Sequence, residues 1–174
     1  MAGPIDRRAV DRLVVEHLPV ALRFAQRLTG NPHVAEDIVQ EALYRVLRGW
    51  RSYRGDAEFR TWMLQIVVNV DRDRRRSGRS VPPVPLDDMV ANTSLPAADA
   101  AAKELQTTIR AAIDRLPERQ REVALLSLGE GLAAHEVARV LETSEANVHT
   151  CLHLARKRIA QAIGLNYTTQ QDAR

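Results

Sequence analysis

Apolar side chains recur along most of the 174-residue chain with the period of roughly 3.6 residues that marks one face of an α-helix. In the first half, this pattern predicts three helices, over residues 10–28, 34–50 and 59–76. Pro19 is expected to kink the first helix or to break it into two short ones. Residues 51–58 lose the apolar period, so we expect a loop between the second and third helices.

The chain changes character after the third predicted helix. Residues 77–100 contain Pro82, Pro83, Pro85 and Pro96 and show no apolar period. Proline-rich, polar segments of this kind connect domains without packing into them. We therefore predict a flexible linker here, with one small domain over residues 1–76 and another after it.

The second half, residues 101–165, returns to the helical period and predicts a small helical bundle. Its last two helices, around residues 137–141 and 148–163, are separated by a tight turn, and Ser144 is a suitable N-cap for the second of them. This is the arrangement of a helix-turn-helix. The polar residues 166–174 predict a disordered tail.

The composition supports an all-α fold of two small helical domains. Hydrophobic residues make up 45% of the chain but aromatic residues only 4%, which is typical of an aliphatic helical protein. A net charge of +3 permits a nucleic-acid partner without requiring one. A single cysteine, no run near the roughly 18 apolar residues of a membrane span and no secretory signal together predict a cytoplasmic protein without disulfides.

The third predicted helix carries a row of polar side chains. Gln65, Asn69, Arg72 and Arg76 are spaced so that they share one edge, which we expect to face solvent opposite the apolar stripe. Any amphipathic helix needs a polar face, but the arginines clustered over residues 72–79 would repel one another without an anionic partner. Amide and guanidinium groups in such a row can contact bases and phosphates.

The loop before this helix combines aromatic and basic residues. Tyr53, Arg54 and Arg60 are placed so that unpaired bases could stack on them or be held between them. The alternative is that the aromatic residues belong to the core, and we favour that interpretation for Trp62.

Two long segments give the resemblance to a known family. Residues 35–76, "AEDIVQEALYRVLRGWRSYRGDAEFRTWMLQIVVNVDRDRRR", resemble region 2 of extracytoplasmic-function (ECF) sigma factors of the sigma-70 family. Residues 116–159, "LPERQREVALLSLGEGLAAHEVARVLETSEANVHTCLHLARKRI", resemble their region 4. The two matches occur in the family's order with a linker between them. The resemblance implies a region 2 helical bundle and a region 4 helix-turn-helix bundle.

The resemblance assigns roles to residues in the first domain. The second helix is expected to dock on the clamp of RNA polymerase through Asp37, Gln40, Glu41 and Arg48. The loop and third helix are expected to open and hold the minus-ten promoter element, with Asn69 helping to capture a flipped base. The residues implied for minus-ten DNA are Tyr53, Arg54, Arg60, Gln65, Asn69, Arg72 and Arg76.

In the second domain, the resemblance places the last helix in the major groove of the minus-thirty-five element. The residues implied are Ser144, Asn147, His149, Thr150, His153, Arg156, Lys157 and Arg158. Family members often carry more fixed positive charge over residues 148–156, where this chain has His149, Cys151 and Leu154. Weaker sequence-independent binding, or an unusual upstream element, is therefore expected.

The resemblance also implies the partners and the location. These are the β′ clamp and β flap of the polymerase core, double- and single-stranded promoter DNA, and an anti-sigma factor of the kind that is often bound to the membrane. The protein would then lie on the nucleoid when active and at the inner membrane when inhibited.

Three other interpretations of these residues are possible. His149 and His153 share a helical face but Cys151 points away from it, so we expect no zinc site and no other cofactor. A nuclease using Asp71 and Asp73 lacks a third acidic ligand nearby, so we expect no enzymatic turnover. The alternative function is a helix-turn-helix regulator that acts without polymerase. That function would not explain the polar face of the second helix.

Overall fold

A computed structural model of the chain describes residues 6–53, 55, 57–78 and 98–164. Within these ranges the secondary structure is entirely helical. The helices are α1 (Arg7–Thr29), α2 (Pro32–Gly49), α3 (Phe59–Arg76), α4 (Ala98–Asp114), α5 (Glu118–Ala124), α6 (Ala134–Leu141) and α7 (Glu145–Ala162). A short 3₁₀ helix, Trp50–Ser52, follows α2, and a π-helical turn, Leu125–Gly129, follows α5.

Local sequence signals explain where the first helices begin and end. The Asp6 carboxylate accepts a hydrogen bond from the Ala9 amide at 2.6 Å and caps α1. Gly30 ends α1 with φ of 66°, a left-handed conformation that suits glycine. Asn31 then caps α2, and Pro32 occupies its first turn, where a missing amide hydrogen costs nothing.

Pro19 does not break α1, which is continuous from Arg7 to Thr29. Of the two predicted outcomes, a kink or a break into two short helices, the break does not occur. Val10, before the proline, and Ala21 and Phe24, after it, are all buried at 1% exposure or less. Packing on both sides of the proline holds the helix together at the cost of one backbone hydrogen bond.

The second half contains the predicted helix-turn-helix in α6 and α7. The Ser144 hydroxyl accepts a hydrogen bond from the Asn147 amide at 3.2 Å, which confirms the predicted N-cap of α7. α6 ends at Glu142, whose φ of 52° is the one left-handed non-glycine conformation among the described residues. α4 begins at Ala98, inside the range predicted as linker. Residues 79–97, with most of that linker, and the predicted tail lie outside the described residues.

The two halves pack against each other. α3 lies against α6, and α1 lies against the π-helical turn. Buried side chains from both halves form a single apolar cluster, which includes Phe24 and Val67 from the first half and Leu126 and Val137 from the second. The interface between the halves determines which polar residues of α3 reach solvent.

Candidate nucleic-acid interface

The outward face of α2 is polar and open. Asp37, Gln40, Glu41 and Arg48 are all exposed, as the sequence predicts for a docking surface, because α2 turns its apolar stripe toward α1 and α3. Tyr44 lies on the same face, 58% exposed, with its hydroxyl 3.3 Å from Arg48 Nη1. An exposed aromatic residue beside charged groups is typical of protein interfaces.

Ion pairs connect residues of this α2 face to α3. Arg45 Nε lies 2.8 Å from Glu41 Oε1, and its Nη1 lies 2.9 Å from Asp73 Oδ2. Arg74 Nη1 lies 3.3 Å from Asp37 Oδ2. The hydrogen bond from Arg45 lowers the pKa of Asp73, and the hydrogen bond to Glu41 raises the pKa of Arg45. The acidic groups of α2 are therefore positioned by arginines of the first half.

The aromatic residues around the loop form a packed group. The Tyr53 ring lies 5.4 Å from Phe59 and 5.1 Å from Trp62, measured between centroids. The Tyr53 hydroxyl donates to the Ala57 carbonyl at 2.8 Å, and burial raises its pKa. Phe59 is buried, and Trp62 is half-buried against the core, as expected for Trp62. Arg54, which was predicted to contact DNA, lies outside the described residues.

The polar edge of α3 is largely covered, and the prediction that it faces solvent is wrong for most of its length. Gln65, Asn69 and Arg72 are half-buried, and only Arg76 is exposed. The cause is the second half of the chain, which packs over this edge through α5 and α6. Gln65 Nε2 donates to Glu142 Oε1 at 3.0 Å.

Arg60 and Arg72 are also engaged by glutamates of the second half. Arg60 Nη2 donates to the Glu130 backbone carbonyl and lies 3.2 Å from Glu130 Oε2. Arg72 makes a two-point contact with Glu122, with Nε 3.0 Å from Oε1 and Nη2 2.6 Å from Oε2. This paired geometry is the strongest form of guanidinium–carboxylate contact.

Glu122, which was not among the predicted site residues, is the centre of this interface. The residue is 1% exposed, and Arg75 and Arg119 lie within 3.4 Å of its carboxylate in addition to Arg72. Burial raises the pKa of the neighbouring Asp71 although Arg75 lies 2.5 Å away. A signal was present in the sequence, because Glu122 lies three and four residues from Arg119 and Leu126, on the inner stripe of its helix.

The outward face of α7 carries the residues predicted for the minus-thirty-five element. Arg156 is half-buried, and the exposed members are Ser144, Asn147, His149, Thr150, His153, Lys157 and Arg158. Two of them are positioned by local contacts: Asn147 Nδ2 donates to Thr143 Oγ1 at 2.9 Å, and Thr150 Oγ1 donates to the Ala146 carbonyl at 3.0 Å. α7 therefore presents a mainly polar surface with basic residues toward its end, interrupted by Leu154, which is 39% exposed.

Cys151 turns away from this surface and packs half-buried against the core. In the described part of the chain, no cluster of three or more histidine, cysteine or acidic side chains could hold a metal ion. None of the helices described is long and apolar enough to cross a lipid bilayer.

A groove of about 450 Å³ lies between the loop and α6. Tyr53, Glu58 and Thr61 line it from the first half, and His135 and Arg139 line it from the second. Because both halves form its walls, the groove exists only while they are in contact. It is therefore not a pocket that the first domain could offer to a DNA strand after separating from the second.

Comparison with known families matches both halves. The Sigma-70 region 2 family matches residues 13–81, and the Sigma-70 region 4 family matches residues 106–159. The ECF RNA polymerase sigma factor SigM of Mycobacterium tuberculosis is 32% identical over 160 residues, which cover 91% of this chain and 79% of the relative.

Solved structures agree in fold. The sigma factor RpoE of Bartonella quintana, determined in complex with the anti-sigma factor NepR, matches with a TM-score of 0.74 and 19% identity over 90% of this chain and 98% of the other. CnrH, determined in complex with the cytosolic domain of CnrY, matches with a TM-score of 0.65 and 25% identity over 91% and 90% of the two chains.

Proposed function

Because the chain belongs to the ECF sigma factors, which direct RNA polymerase to promoters, we propose that α2, α3 with its preceding loop, and α7 divide this work among core binding, minus-ten opening and minus-thirty-five recognition. The observation that carries the proposal is the exposed face of α2. Asp37, Gln40, Glu41 and Arg48 are open to a protein partner, while none of them belongs to the helix-turn-helix. A regulator that acts without polymerase would have no use for this face.

In the first domain, α2 binds the polymerase clamp, and α3 holds the melted minus-ten strand. The row of Gln65, Asn69, Arg72 and Arg76 supplies amide groups for bases and guanidinium groups for phosphates. Holding an unstacked base offsets the few kcal/mol that unpairing it costs. Tyr53 stays in its aromatic group with Phe59 and Trp62, so its role is to support the loop as well as to offer a ring edge.

In the second domain, α7 enters the major groove at the minus-thirty-five element. Asn147, His149, Thr150 and His153 face outward on the first turns of α7, where side chains of a recognition helix reach base edges. Lys157 and Arg158 lie further along the helix, where phosphate contacts would fix its position. The second domain also contacts the β flap of the polymerase.

An anti-sigma factor regulates the protein, and it covers the polymerase-docking surface. Support comes from the structural neighbours, since RpoE was determined with the anti-sigma factor NepR and CnrH with the cytosolic domain of CnrY. The protein itself catalyses no reaction. It acts in the cytoplasm, on the nucleoid when active, and at the inner membrane when held by a membrane-bound inhibitor.

Run-off transcription with purified polymerase core tests this division of roles. Genomic promoter fragments, including the protein's own promoter, should give specific transcripts only when core and this protein are both present. Tight, specific footprints by the free protein, without any core-dependent transcript, would instead support the stand-alone regulator.

A variant of α2 tests the docking surface separately. Glu41→Lys reverses a charge on the exposed face, and we expect a lower affinity for core and fewer transcripts at limiting protein. Glu16→Lys makes the same change at an exposed position of α1 and serves as the control. Equal core affinity for the two variants would contradict the assignment of α2.

A further inference from the structure

The outward face of α7 carries a row of uncharged side chains, which we call the apolar strip. Its members, Ala146, Thr150 and Leu154, follow one another at intervals of four residues, so they lie along one ridge of the helix. All three are exposed, and Leu154 keeps 39% of its accessible surface. Single exposed leucines are common on protein surfaces, but this one lies inside the face that would meet the major groove.

We propose that the apolar strip recognises the C5-methyl groups of thymines in the minus-thirty-five element, with Leu154 and Thr150 as its specificity-determining residues. The inference rests on the proposed role of α7 and specifies which base this helix selects. The Leu154 side chain has no hydrogen-bond donor or acceptor, so it cannot hydrogen-bond to a base edge. The thymine methyl is the one apolar group that the four standard bases present in the major groove. A leucine placed against base edges therefore favours thymine.

Thr150 offers the same chemistry one turn earlier on the helix. Its Oγ1 donates to the Ala146 carbonyl at 3.0 Å, so the hydroxyl hydrogen is already used within α7. While that bond holds, the side chain cannot donate a hydrogen bond to a base, and its methyl group is left for an apolar contact. Threonine methyls are among the groups that contact the thymine methyl in protein–DNA complexes.

Polar and basic residues flank the apolar strip. Asn147 is positioned by its hydrogen bond to Thr143 Oγ1 at 2.9 Å, and Lys157 and Arg158 are exposed beyond Leu154 toward the end of the helix. The two basic side chains can contact phosphates, which gives affinity without selecting a sequence. Selection among bases then depends on uncharged groups, and the apolar strip supplies the apolar part of it.

The spacing of the two side chains limits the sequence that they can recognise. Thr150 and Leu154 are separated by about 6 Å along the helix axis, at about 1.5 Å per residue. Successive bases on one strand of DNA are about 3.4 Å apart. The two side chains would therefore contact methyl groups on base pairs one or two steps apart, on either strand. The expected element contains two thymines at that separation.

The test uses polymerase core with the full-length chain. A template library is randomised over about ten positions of the minus-thirty-five region, roughly one turn of the major groove. Templates that form stable promoter complexes are selected and sequenced, and wild type should select two thymines at the separation given above. Each selected thymine is then replaced by deoxyuridine, which removes the methyl group and leaves every hydrogen-bonding group in place.

Each deoxyuridine should weaken promoter binding by the wild-type holoenzyme about four-fold, the effect of losing one buried methyl group. Leu154→Ala should no longer distinguish thymine from deoxyuridine at one of the two positions. Thr150→Ser, which keeps the hydroxyl and removes only the methyl, should lose this distinction at the other position. Leu154→Met keeps an apolar side chain and should remain sensitive to the thymine methyl.

The matched control is Leu105→Ala, which shortens a leucine of α4 that is 48% exposed and lies outside the proposed DNA-binding face. This variant should distinguish thymine from deoxyuridine as wild type does. A second arm places cytosine or 5-methylcytosine at the position assigned to Leu154. The methylated base should bind the wild-type holoenzyme more tightly than cytosine, because the contact is to the methyl group itself.

Equal deoxyuridine effects for wild type and Leu154→Ala, or a selected element without thymine, would overturn the inference. The proposed function would still stand in that case, because a selected element of any sequence shows that the minus-thirty-five region is recognised. If no position in the randomised region is selected, the role of α7 in the proposed function fails as well.

Discussion

Arg72 of α3 and Glu122 of α5 form a two-point ion pair across the interface between the halves of the chain, with Nε–Oε1 and Nη2–Oε2 distances of 3.0 and 2.6 Å. Glu122 is 1% exposed, while the Arg72 side chain keeps 19% of its accessible surface. The pair therefore links a residue of the proposed DNA-binding edge to the interior of the other domain. Burial of this kind makes the loss of one partner costly, because the other charge is left behind.

Glu122→Ala should lower the stability of the protein substantially. The change leaves Arg72, Arg75 and Arg119 without their shared carboxylate, and we expect a loss of about 3 kcal/mol because the arginines retain some contact with water. Urea unfolding followed by circular dichroism measures the change. Glu118→Ala on the same helix removes a pair with Arg75 that is 56% exposed at the glutamate, and it should cost less than about 1 kcal/mol. Equal losses for the two variants would contradict this account of the cluster.

Asp73 should make stability depend on pH in the acidic range. Because the hydrogen bond from Arg45 lowers its pKa in the folded protein, its contribution is present above the ordinary value of 3.8 and is lost as the pH falls through the folded value. Asp73→Asn should therefore lose less stability than wild type between about pH 5 and pH 3. The difference should stay below about 1 kcal/mol, since the Asp73 side chain is 45% exposed.

Asp71 should change the pH dependence of stability in the opposite direction to Asp73, so it serves as the comparison. Burial raises its pKa, so its ionisation opposes folding increasingly as the pH rises above 3.8. The stability of Asp71→Asn relative to wild type should therefore rise with pH over the range in which that of Asp73→Asn falls. Urea midpoints for the three proteins across this range check both signs. Parallel pH profiles for the two variants would show that these carboxylates do not titrate as their surroundings require.

Asn31→Ala should destabilise the first domain by about 1–2 kcal/mol through the loss of a helix cap. Asn31 is 4% exposed, and its Oδ1 accepts hydrogen bonds from the amides of His33 and Val34 at 3.1 and 3.2 Å. Asn31→Asp keeps the acceptor and adds a charge that the helix N-terminus favours, so its stability should stay close to that of wild type. Thermal unfolding of the two variants separates a capping role from a general requirement for asparagine.

Residues that act within one helix could be predicted from the sequence, and residues that act across the interface could not. The bounds of α3, Phe59–Arg76, and the cap at Ser144 are confirmed, because apolar period and capping chemistry are local properties. The pair between Arg72 and Glu122 joins positions 50 residues apart, and nothing periodic marks it. For the same reason, the covered edge of α3 was expected to be open.

The continuity of α1 and the turn after α5 are two further features that could not be predicted from the sequence. At Pro19, local propensity favours a break, but tertiary packing of Val10 and Phe24 keeps α1 continuous. The π-helical turn Leu125–Gly129 directly continues α5 along the chain. Its apolar residues are compatible with the period of an α-helix as well as with that of a π-helix, so the sequence does not distinguish the two. Membership of the family could be predicted from the sequence, because two long matching segments in the right order are recognised without knowing how the two halves pack.

The role of α3 in promoter opening is tested most directly by core-dependent run-off transcription with Asn69→Ala. Asn69 lies on the α3 edge, away from the proposed polymerase-docking face of α2, so core binding should be unchanged. The loss of a base contact worth about 1–3 kcal/mol should reduce transcripts at cognate start sites by roughly five-fold or more. Thr107→Ala, at an exposed position of α4, should transcribe as wild type does. Undiminished transcription by Asn69→Ala at saturating core would contradict the assignment of α3 to promoter opening.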